Sequence, residues 1–299
     1  MEILITGANG FVGKNLNSYL SGNFSISNLS LRFNKSADII INSDHVIHLS
    51  GKAHDLKNVS QPSDYYEANF ELTKKLFDAF VKSDARKFIF ISSVKAAADD
   101  VPDVLTEDVI PNPVTHYGKS KLMAEEYIQS QKLPDGKSYY ILRPCMIHGV
   151  GNKGNLNLLY RLIKKRIPYP LAAFENKRSF LSVENLCFII REIIERDDFT
   201  QGIYNVSDDE ALSTNEVVSI LSVSLNYRPS LWKISPALIK FVAKLGDKFH
   251  LPLNTERLNK LTENYIVSNK KIKNQLKKNL PLSAMEGLKL TAQSFQQPN

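Results

Sequence analysis

The sequence predicts an α/β fold in which a doubly wound parallel sheet is followed by a smaller C-terminal lobe. Three observations support this prediction. The apolar run Glu2–Thr6 enters a glycine-rich turn at once, strand-like and helix-like patterns then alternate as far as Pro144, and the regular pattern breaks beyond Pro144. Such alternation is typical of a parallel sheet that is covered by helices.

The first element is the strand Glu2–Thr6 with the glycine turn that follows it. Backbone N–H groups and the positive end of the next helix face an anion there, and glycine lets the backbone come close to it. Directly after a first strand, three glycines at a spacing of three predict a Rossmann-type dinucleotide site rather than a purely structural turn. The predicted cofactor contacts are Gly7, Asn9, Gly10, Phe11, Val12 and Gly13.

The second strand is predicted over Ser25–Arg32, and its end should meet the adenosine ribose. NAD sites usually carry a carboxylate there, about 20 residues past the glycines, to hold the 2′-hydroxyl. No Asp or Glu stands between Ile3 and Ala37, whereas Arg32 and Lys35 do. We therefore expect NAD or NADP as the cofactor without choosing between them. Arg32 is a predicted contact of the cofactor. The alternative is that its side chain merely stacks on the adenine or points to solvent.

Two further strands, Asp38–Ile41 and Asp44–Leu49, are predicted almost without a connection between them. Further cofactor contacts are expected at Asp38, Ile39, Leu49, Ser50 and Gly51. A helix then follows over Tyr65–Lys82, a buried strand over Lys87–Ile91, a loop over Val94–Val114, a helix from Tyr117 and a strand over Ser138–Arg143.

The helix that begins near Tyr117 carries the best candidate for chemistry. Tyr117 and Lys121 stand four apart, so they share one helix face. A phenol has a pKa near 10, and a fixed ammonium one turn away should lower that pKa toward the range of a general acid/base. A second pair, Tyr160 and Lys164, has the same spacing but comes too late in the chain, and we interpret it as a surface pair.

The order of these motifs resembles the short-chain dehydrogenase/reductase superfamily, specifically its extended branch of nucleotide-sugar epimerases, dehydratases and reductases. The resemblance covers most of the chain. It rests on the glycine turn, Val46-Ile47-His48-Leu49, Ser92-Ser93, the pair Tyr117 and Lys121, and Leu142-Arg143-Pro144. Tyr117 stands 24 residues past Ser93.

The resemblance implies roles for single residues. Ser93, with Ser92 as the alternative, would polarise the reacting oxygen, Tyr117 would be the acid/base, and Lys121 would also hold the nicotinamide ribose. Asn69 matches a cofactor-side Asn, although Leu72 stands where the family usually has Gly. For the sugar nucleotide, the implied contacts are Ser93, Asn155, Arg178 and Arg257.

The implied domains are a dinucleotide-binding domain over 1–148, to which 178–206 return, and a substrate-binding lobe over 149–177 and 207–299. The implied function is epimerisation at C4 of a UDP-hexose or UDP-N-acetylhexosamine through a 4-keto intermediate. An NADPH-dependent 4-ketoreductase of a deoxy-aminosugar nucleotide is the second hypothesis. A non-catalytic dinucleotide-sensing protein is the third. The resemblance also implies a homodimer that pairs the helices Tyr65–Lys82 and Tyr117–Gln131.

Composition excludes other classes of protein. The net charge is +7, but no aromatic-interleaved basic motif predicts nucleic-acid binding. Cys145 and Cys187 lie in apolar runs, so we expect buried thiols and neither disulfides nor a metal site. No leader and no apolar run of roughly 18 residues is present, so a cytoplasmic protein without an integral membrane segment is expected.

One basic amphipathic stretch, Ser230–His250, leaves two possibilities open. A helix that faces the core with solvated lysines is the favoured interpretation. A helix that lies on a membrane surface is the alternative.

Overall fold

The computed structural model describes residues 1–31, 38–52, 61–152, 154–249 and 253–296. The strands are β1 (Glu2–Thr6), β2 (Ser25–Leu29), β3 (His45–His48), β4 (Lys87–Ile91), β5 (Val104–Leu105), β6 (Ser138–Pro144), β7 (Met146–His148), β8 (Arg178–Ser182), β9 (Gly202–Val206), β10 (Ala211–Leu212) and β11 (Ile266–Val267).

The helices are α1 (Phe11–Leu20), α2 (Pro62–Tyr66), α3 (Leu72–Lys82), α4 (His116–Ser130), α5 (Asn155–Lys164), α6 (Val183–Glu195), α7 (Thr214–Ser224), α8 (Pro236–Phe249), α9 (Thr255–Thr262), α10 (Lys270–Leu276) and α11 (Ala284–Ser294). A π-helical turn, Glu67–Glu71, joins α2 to α3, and a 3₁₀ turn, Val94–Ala96, follows β4.

A six-stranded parallel sheet in the order β2-β1-β3-β4-β6-β9 forms the centre of the described part of the chain. Alternate residues of each strand face opposite layers. Ile3 and Ile5 pack with α1 and α6 on one face, whereas Leu4 and Val46 pack with α3 and α4 on the other. The predicted Rossmann-type, doubly wound fold is confirmed.

The strand order reverses at β1, which has β2 on one side and β3 on the other. In open α/β sheets, ligands bind at such a switch point, outside the carboxyl ends of the strands. A ligand site is therefore expected at the carboxyl ends of β1, β3 and β4.

The prediction of a strand over Asp38–Ile41 is wrong. These residues lie in an irregular connection to β3, and Ile40 is 77% exposed. Ile41 is buried and Ile39 partly buried against the core on the α3 side. The apolar run thus anchors a loop through side chains and does not pair with β2.

A smaller group of elements follows Pro144. β7, β8 and β10 form a three-stranded sheet, and β11 pairs with β5, so the chain beyond residue 260 contacts the loop after β4. Residues 178–206 divide between the two parts, because β8 joins the small sheet while α6 and β9 join the large one. The predicted domain boundaries stay a prediction.

Both cysteines are buried free thiols, as predicted. Tyr160, predicted as a surface residue, is instead buried among α5, α7 and α11, and its ring lies 5.1 Å from that of Phe295. The Tyr160–Lys164 spacing therefore reflects packing of α5. No helix in the described ranges is long and apolar enough to cross a membrane.

Candidate active site

The glycine turn lies at the switch point and leaves no room for side chains at two of its positions. Gly7 has φ +73°, and a Cβ there would lie 2.8 Å from the backbone nitrogen of Ser50. A Cβ on Gly13 would lie 2.3 Å from the carbonyl oxygen of Gly7. The absence of these side chains brings the start of α1 close to the ends of β1 and β3. This cradle fits the pyrophosphate of a dinucleotide.

The other predicted cofactor residues occupy different settings. Asn9 and Gly10 are exposed at the turn, while Phe11 and Val12 are half-buried in the first turn of α1. Asp38 is exposed and Ile39 half-buried in the connection before β3. The predicted contact at Arg32 lies outside the described residues.

Leu49, Ser50 and Gly51 leave the end of β3 toward α4. A Cβ on Gly51 would lie 2.8 Å from Asn69 Oδ1 and 3.1 Å from Lys121 Nζ. Gly51 therefore occupies a narrow gap beside the predicted catalytic lysine, which joins the cofactor side of the site to the catalytic side.

Lys121 is fixed at the end of β4. Its ammonium donates to the carbonyl oxygen of Ile91 at 2.9 Å and lies 4.7 Å from the centre of the Phe90 ring. Burial lowers the pKa of Lys121 to about 8, and the carboxylate of Glu125 opposes that shift. A charged amine is thus held at a defined position next to the strand that carries Ser93.

Ser93 and Tyr117 meet directly through a side-chain hydrogen bond. Ser93 Oγ also accepts from the backbone N–H of Lys95 at 3.2 Å. Burial raises the pKa of the Tyr117 phenol, and the bond with Ser93 lowers it in part. A lowered pKa was predicted from the sequence, and that direction is wrong here, because desolvation of the phenol outweighs the hydrogen bond with Ser93.

The first turn of α4 is pressed against the 3₁₀ turn after Ser93. A Cβ on Gly118 would lie 2.3 Å from the carbonyl oxygen of Lys95, so only glycine permits this approach. Thr115 caps α4 by accepting from the Gly118 N–H at 3.1 Å, and Asp99 in turn accepts from the Thr115 N–H at 3.1 Å. Gly118 received no role from the sequence, although a glycine one residue past Tyr117 was a signal for close packing.

The Asn69 side chain is hydrogen-bonded within the protein, and its predicted contact with the cofactor stays a prediction. Its Oδ1 accepts from the Lys52 N–H at 2.7 Å, and its Nδ2 donates to the Lys52 carbonyl and to Ser120 Oγ, both at 3.0 Å. Asn69 lies in the π-helical turn, an irregularity that is frequent at functional sites. It thereby ties the loop after β3 to the helix that carries Tyr117.

A buried polar chain that the sequence did not reveal runs beneath the cradle. His48 Nδ1 lies 2.6 Å from Thr6 Oγ1, and His48 Nε2 lies 2.8 Å from Thr73 Oγ1. Because Thr73 donates to the Asn69 carbonyl, it accepts from Nε2, and Thr6 donates to Nδ1. Burial lowers the pKa of His48 to about 3, so the ring is neutral and joins β1, β3 and the π-helical turn.

A second buried network involves Ser92, the neighbour of the candidate catalytic residue Ser93. The Arg143 guanidinium contacts the Glu125 carboxylate through Nη2 at 2.5 Å and through Nε at 3.0 Å to both oxygens, and both side chains are buried. The Ser92 hydroxyl donates to the same carboxylate. Ser92 is thereby directed away from Tyr117, which leaves Ser93 as the serine beside the phenol.

Three of the four predicted substrate residues lie on the smaller part of the chain, whereas Ser93 follows β4 of the large sheet. Asn155 is exposed at the start of α5, and Arg257 is exposed on α9. The Arg178 guanidinium bonds to the end of α9, with contacts to the carbonyl of Lys260 and to the carbonyl and carboxylate of Glu263, the latter two both at 3.2 Å. Arg178 thus lies against the helix that carries Arg257, and its predicted contact with a phosphate stays a prediction.

Arg178 is also close to the loop after Ser93. Burial lowers the pKa of Lys95, and Arg178 lies near enough to lower it further. Tyr265, which follows α9, donates from its hydroxyl to the Ala98 carbonyl at 2.7 Å. Within the described ranges, no group of three or more His, Cys, Asp or Glu side chains could hold a metal ion.

Comparison with known proteins agrees with this geometry. Residues 3–207 match the model of the NAD dependent epimerase/dehydratase family. The chain is 31% identical to UDP-glucose 4-epimerase of Vibrio cholerae, over 100% of this chain and 96% of that protein. It is 30% identical to the N-acetyl-alpha-D-glucosaminyl-diphospho-ditrans,octacis-undecaprenol 4-epimerase of Escherichia coli O157:H7, over 77% and 74%.

A solved structure with a similar fold is UDP-N-acetylglucosamine 4-epimerase from Bacillus cereus, with a TM-score of 0.76 at 18% identity over 99% of this chain and 100% of that one. The cradle at the switch point and the meeting of Ser93, Tyr117 and Lys121 are what an enzyme that uses NAD or NADP requires. The chain belongs to the NAD-dependent epimerase/dehydratase family.

Proposed function

We propose that the protein interconverts C4 epimers of a UDP-hexose or UDP-N-acetylhexosamine through a 4-keto intermediate. The observation that carries this proposal is the meeting of Ser93, Tyr117 and Lys121 at the end of β4, beside the glycine cradle. The names of the Vibrio cholerae and Bacillus cereus proteins support the class of substrate.

The protein's own groups supply the proton chemistry. Ser93 donates a hydrogen bond to the sugar O4, and Tyr117 takes the O4 proton as C4 is oxidised and returns it when C4 is reduced. Lys121, fixed by the Ile91 carbonyl, would stabilise the phenolate through its positive charge. When bound, the dinucleotide supplies hydride acceptance and return.

The dinucleotide would be held by the backbone at Gly7, Gly13, Ser50 and Gly51. These residues line the cradle and the narrow gap between the cradle and Lys121. Arg178 and Arg257 would bind the substrate diphosphate through their guanidinium groups. Between oxidation and reduction the ketose must turn over within the site, so that the hydride returns to its other face.

A 4-ketoreductase that uses NADPH is the second candidate. One observation favours it: no carboxylate stands between Ile3 and Ala37, where the ribose 2′-hydroxyl of NAD is usually held. A reductase needs only one hydride delivery and must release the oxidised cofactor after each turnover. A non-catalytic sensing protein is disfavoured, since the proposed catalytic set is intact and the matching family model is that of NAD dependent epimerases and dehydratases.

The bound cofactor separates these functions. The protein is purified without added dinucleotide, denatured, and the released dinucleotide is identified by mass spectrometry. We expect NAD, together with interconversion of UDP-sugars that needs no added cofactor. If the protein carries no dinucleotide and consumes NADPH only when a 4-keto sugar nucleotide is supplied, the epimerase proposal is rejected in favour of the reductase.

A further inference from the structure

Helix α8 exposes apolar side chains where the sequence predicted a core-facing helix. Only Ile239, Ala243 and Gly246 are buried among its residues. The exposed apolar residues are Leu238, Phe241, Val242, Leu245 and Phe249. The helix faces the core through those three buried residues and its lysines are solvated, as predicted, but Phe241 and Phe249 are 59% and 61% exposed and are not explained by that interpretation.

These exposed residues form one stripe along the helix. Their spacings of three and four place them on a common face, which adjoins the three buried positions. Trp232, just before the helix, is also exposed at 55%. A contiguous apolar surface of this kind on a protein usually marks an interaction site.

The charge beside the stripe indicates the partner. Lys240, Lys244 and Lys248 follow one another at intervals of four and form a column next to the apolar face, and all are exposed. Asp247 is the only acidic residue of α8, and its carboxylate accepts from the Thr255 N–H at 3.0 Å. Lysine is depleted in the centres of protein–protein interfaces. Lysines beside an apolar stripe suit a surface of anionic phospholipid.

The position of α8 relates it to the predicted substrate site. Ile239 and Ala243 pack against Leu258 of α9. The same helix α9 carries Arg257, and its end is bonded to Arg178. A surface bound by α8 would therefore lie next to the residues that we expect to bind the diphosphate.

We propose that α8 and Trp232 dock the protein on the surface of an anionic phospholipid bilayer. The apolar stripe enters the boundary between headgroups and acyl chains, while the lysine column contacts the lipid phosphates. This inference concerns where the protein works and does not depend on which reaction it catalyses.

Vesicle flotation of the full chain tests the proposal. We expect binding to vesicles that contain phosphatidylglycerol, little binding to phosphatidylcholine alone, and weakening as salt is raised. The double variant F241S/F249S should lower the affinity by about tenfold or more. Met285 and Leu290, exposed at 47% and 40% on α11, provide the matched control M285S/L290S, which should bind like the parent.

A second measurement uses the unmodified protein. Trp232 is the only tryptophan of the chain and is exposed four residues before α8, so its fluorescence would report on insertion of this end of the helix. Its emission should shift to shorter wavelengths when anionic vesicles are added. Absence of both flotation and this shift at every lipid composition overturns the proposal, as does equal weakening by M285S/L290S.

Two further readouts keep the outcomes distinct. If light scattering gives F241S/F249S a different mass from the parent, and the parent does not bind vesicles, then α8 binds a second copy of the chain. That result rejects the proposal. Turnover of a soluble UDP-sugar by F241S/F249S should equal that of the parent. Turnover therefore tests the proposed function, whereas flotation tests the docking surface.

Discussion

The chemistry of Tyr117 depends on what its hydroxyl and ring contact. Ser93 bonds to the hydroxyl, the ring of Tyr65 lies 6.5 Å from the Tyr117 ring, and burial raises the pKa of the phenol. At neutral pH the resting phenol is therefore protonated, which suits donation to a 4-keto oxygen. When C4 is oxidised, Tyr117 must instead accept the O4 proton, and this transfer needs the positive charge of Lys121 nearby.

Replacing Tyr117 by Phe keeps the ring and removes the proposed proton shuttle. The rate should fall by about 10²–10⁴-fold, as expected when a general acid/base is lost. Tyr160→Phe is the matched control, because that residue also precedes a lysine by four but is buried in the smaller part of the chain. Steady-state assays in which Y117F stays within a few-fold of the parent would rule out Tyr117 as the acid/base.

Lys121→Met should reveal the cost of burying an ammonium. The folded-state pKa of about 8 lies below the ordinary value of 10.5, so the folded protein binds fewer protons than the unfolded chain between these pH values. The parent's stability therefore rises with pH across this interval relative to the variant.

The free energy of unfolding of K121M, relative to that of the parent, should accordingly be highest below pH 8. This difference should fall by up to about 3 kcal/mol as the pH rises toward 10.5. Loss of the hydrogen bond to Ile91 reduces the absolute gain at every pH. Urea unfolding of both proteins at a series of pH values checks this. A difference that does not vary with pH would contradict the assigned pKa.

Arg257→Met tests the predicted diphosphate contact. Arg257 is exposed on α9, so the substitution should leave the fold intact, whereas Arg178→Met would also release the end of α9. We expect KM for the sugar nucleotide to rise about tenfold or more, because a charged hydrogen bond to phosphate is lost. Cofactor affinity, measured by titration, should stay constant. Loss of cofactor binding would place Arg257 on the wrong side of the site.

At the level of elements, helix α4 is the part that assembles the site. Its first turn is held by Asp99 and Gly118, its second carries Lys121, and its third is held by the buried pair of Glu125 and Arg143. These contacts fix α4 against the ends of β4 and β6. Tyr117 and Lys121 thus inherit their positions from packing that lies beneath them.

Glu125→Gln should destabilise the protein by about 3–5 kcal/mol, because it leaves the buried Arg143 guanidinium without its counter-charge. The double variant E125L/R143M should recover much of this loss. Urea unfolding at pH 7 measures both. The exposed pair Arg191–Glu195, 2.8 Å apart, supplies the control: E195Q should cost about 1 kcal/mol or less. Equal effects of E125Q and E195Q would argue against the buried network.

At the scale of the whole molecule, we predict a homodimer in which the region of α2 and α3 and the helix α4 pair with their copies across a two-fold axis. These helices lie side by side in the structure. Light scattering should give about twice the chain mass of 33.8 kDa. A mass of one chain over a wide concentration range would reject the dimer. Because F241S/F249S alters a different surface, that variant should keep the mass of the parent.

Sequence patterns predicted most elements of the large sheet. The strands Glu2–Thr6 and Lys87–Ile91 begin and end where the sequence placed them, because buried parallel strands are continuous apolar runs between polar or glycine boundaries. Asp38–Ile41 shows the limit of that rule. Its isoleucines anchor a loop to the core, and an apolar run does not reveal whether a neighbouring strand edge is available to it.

By itself the sequence determined the doubly wound fold, the glycine cradle and the candidates Ser93, Tyr117 and Lys121. The fold and the cradle follow from local order and spacing along the chain, whereas the roles of the three candidates rest on the resemblance of the whole motif set to the short-chain dehydrogenase/reductase superfamily. The tertiary structure decided which serine faces the phenol, the direction of the Tyr117 pKa shift and the exposure of α8. Each of these depends on desolvation and on contacts between residues far apart in the chain, such as Ser92 with Glu125, and periodicity within one segment carries no information about them.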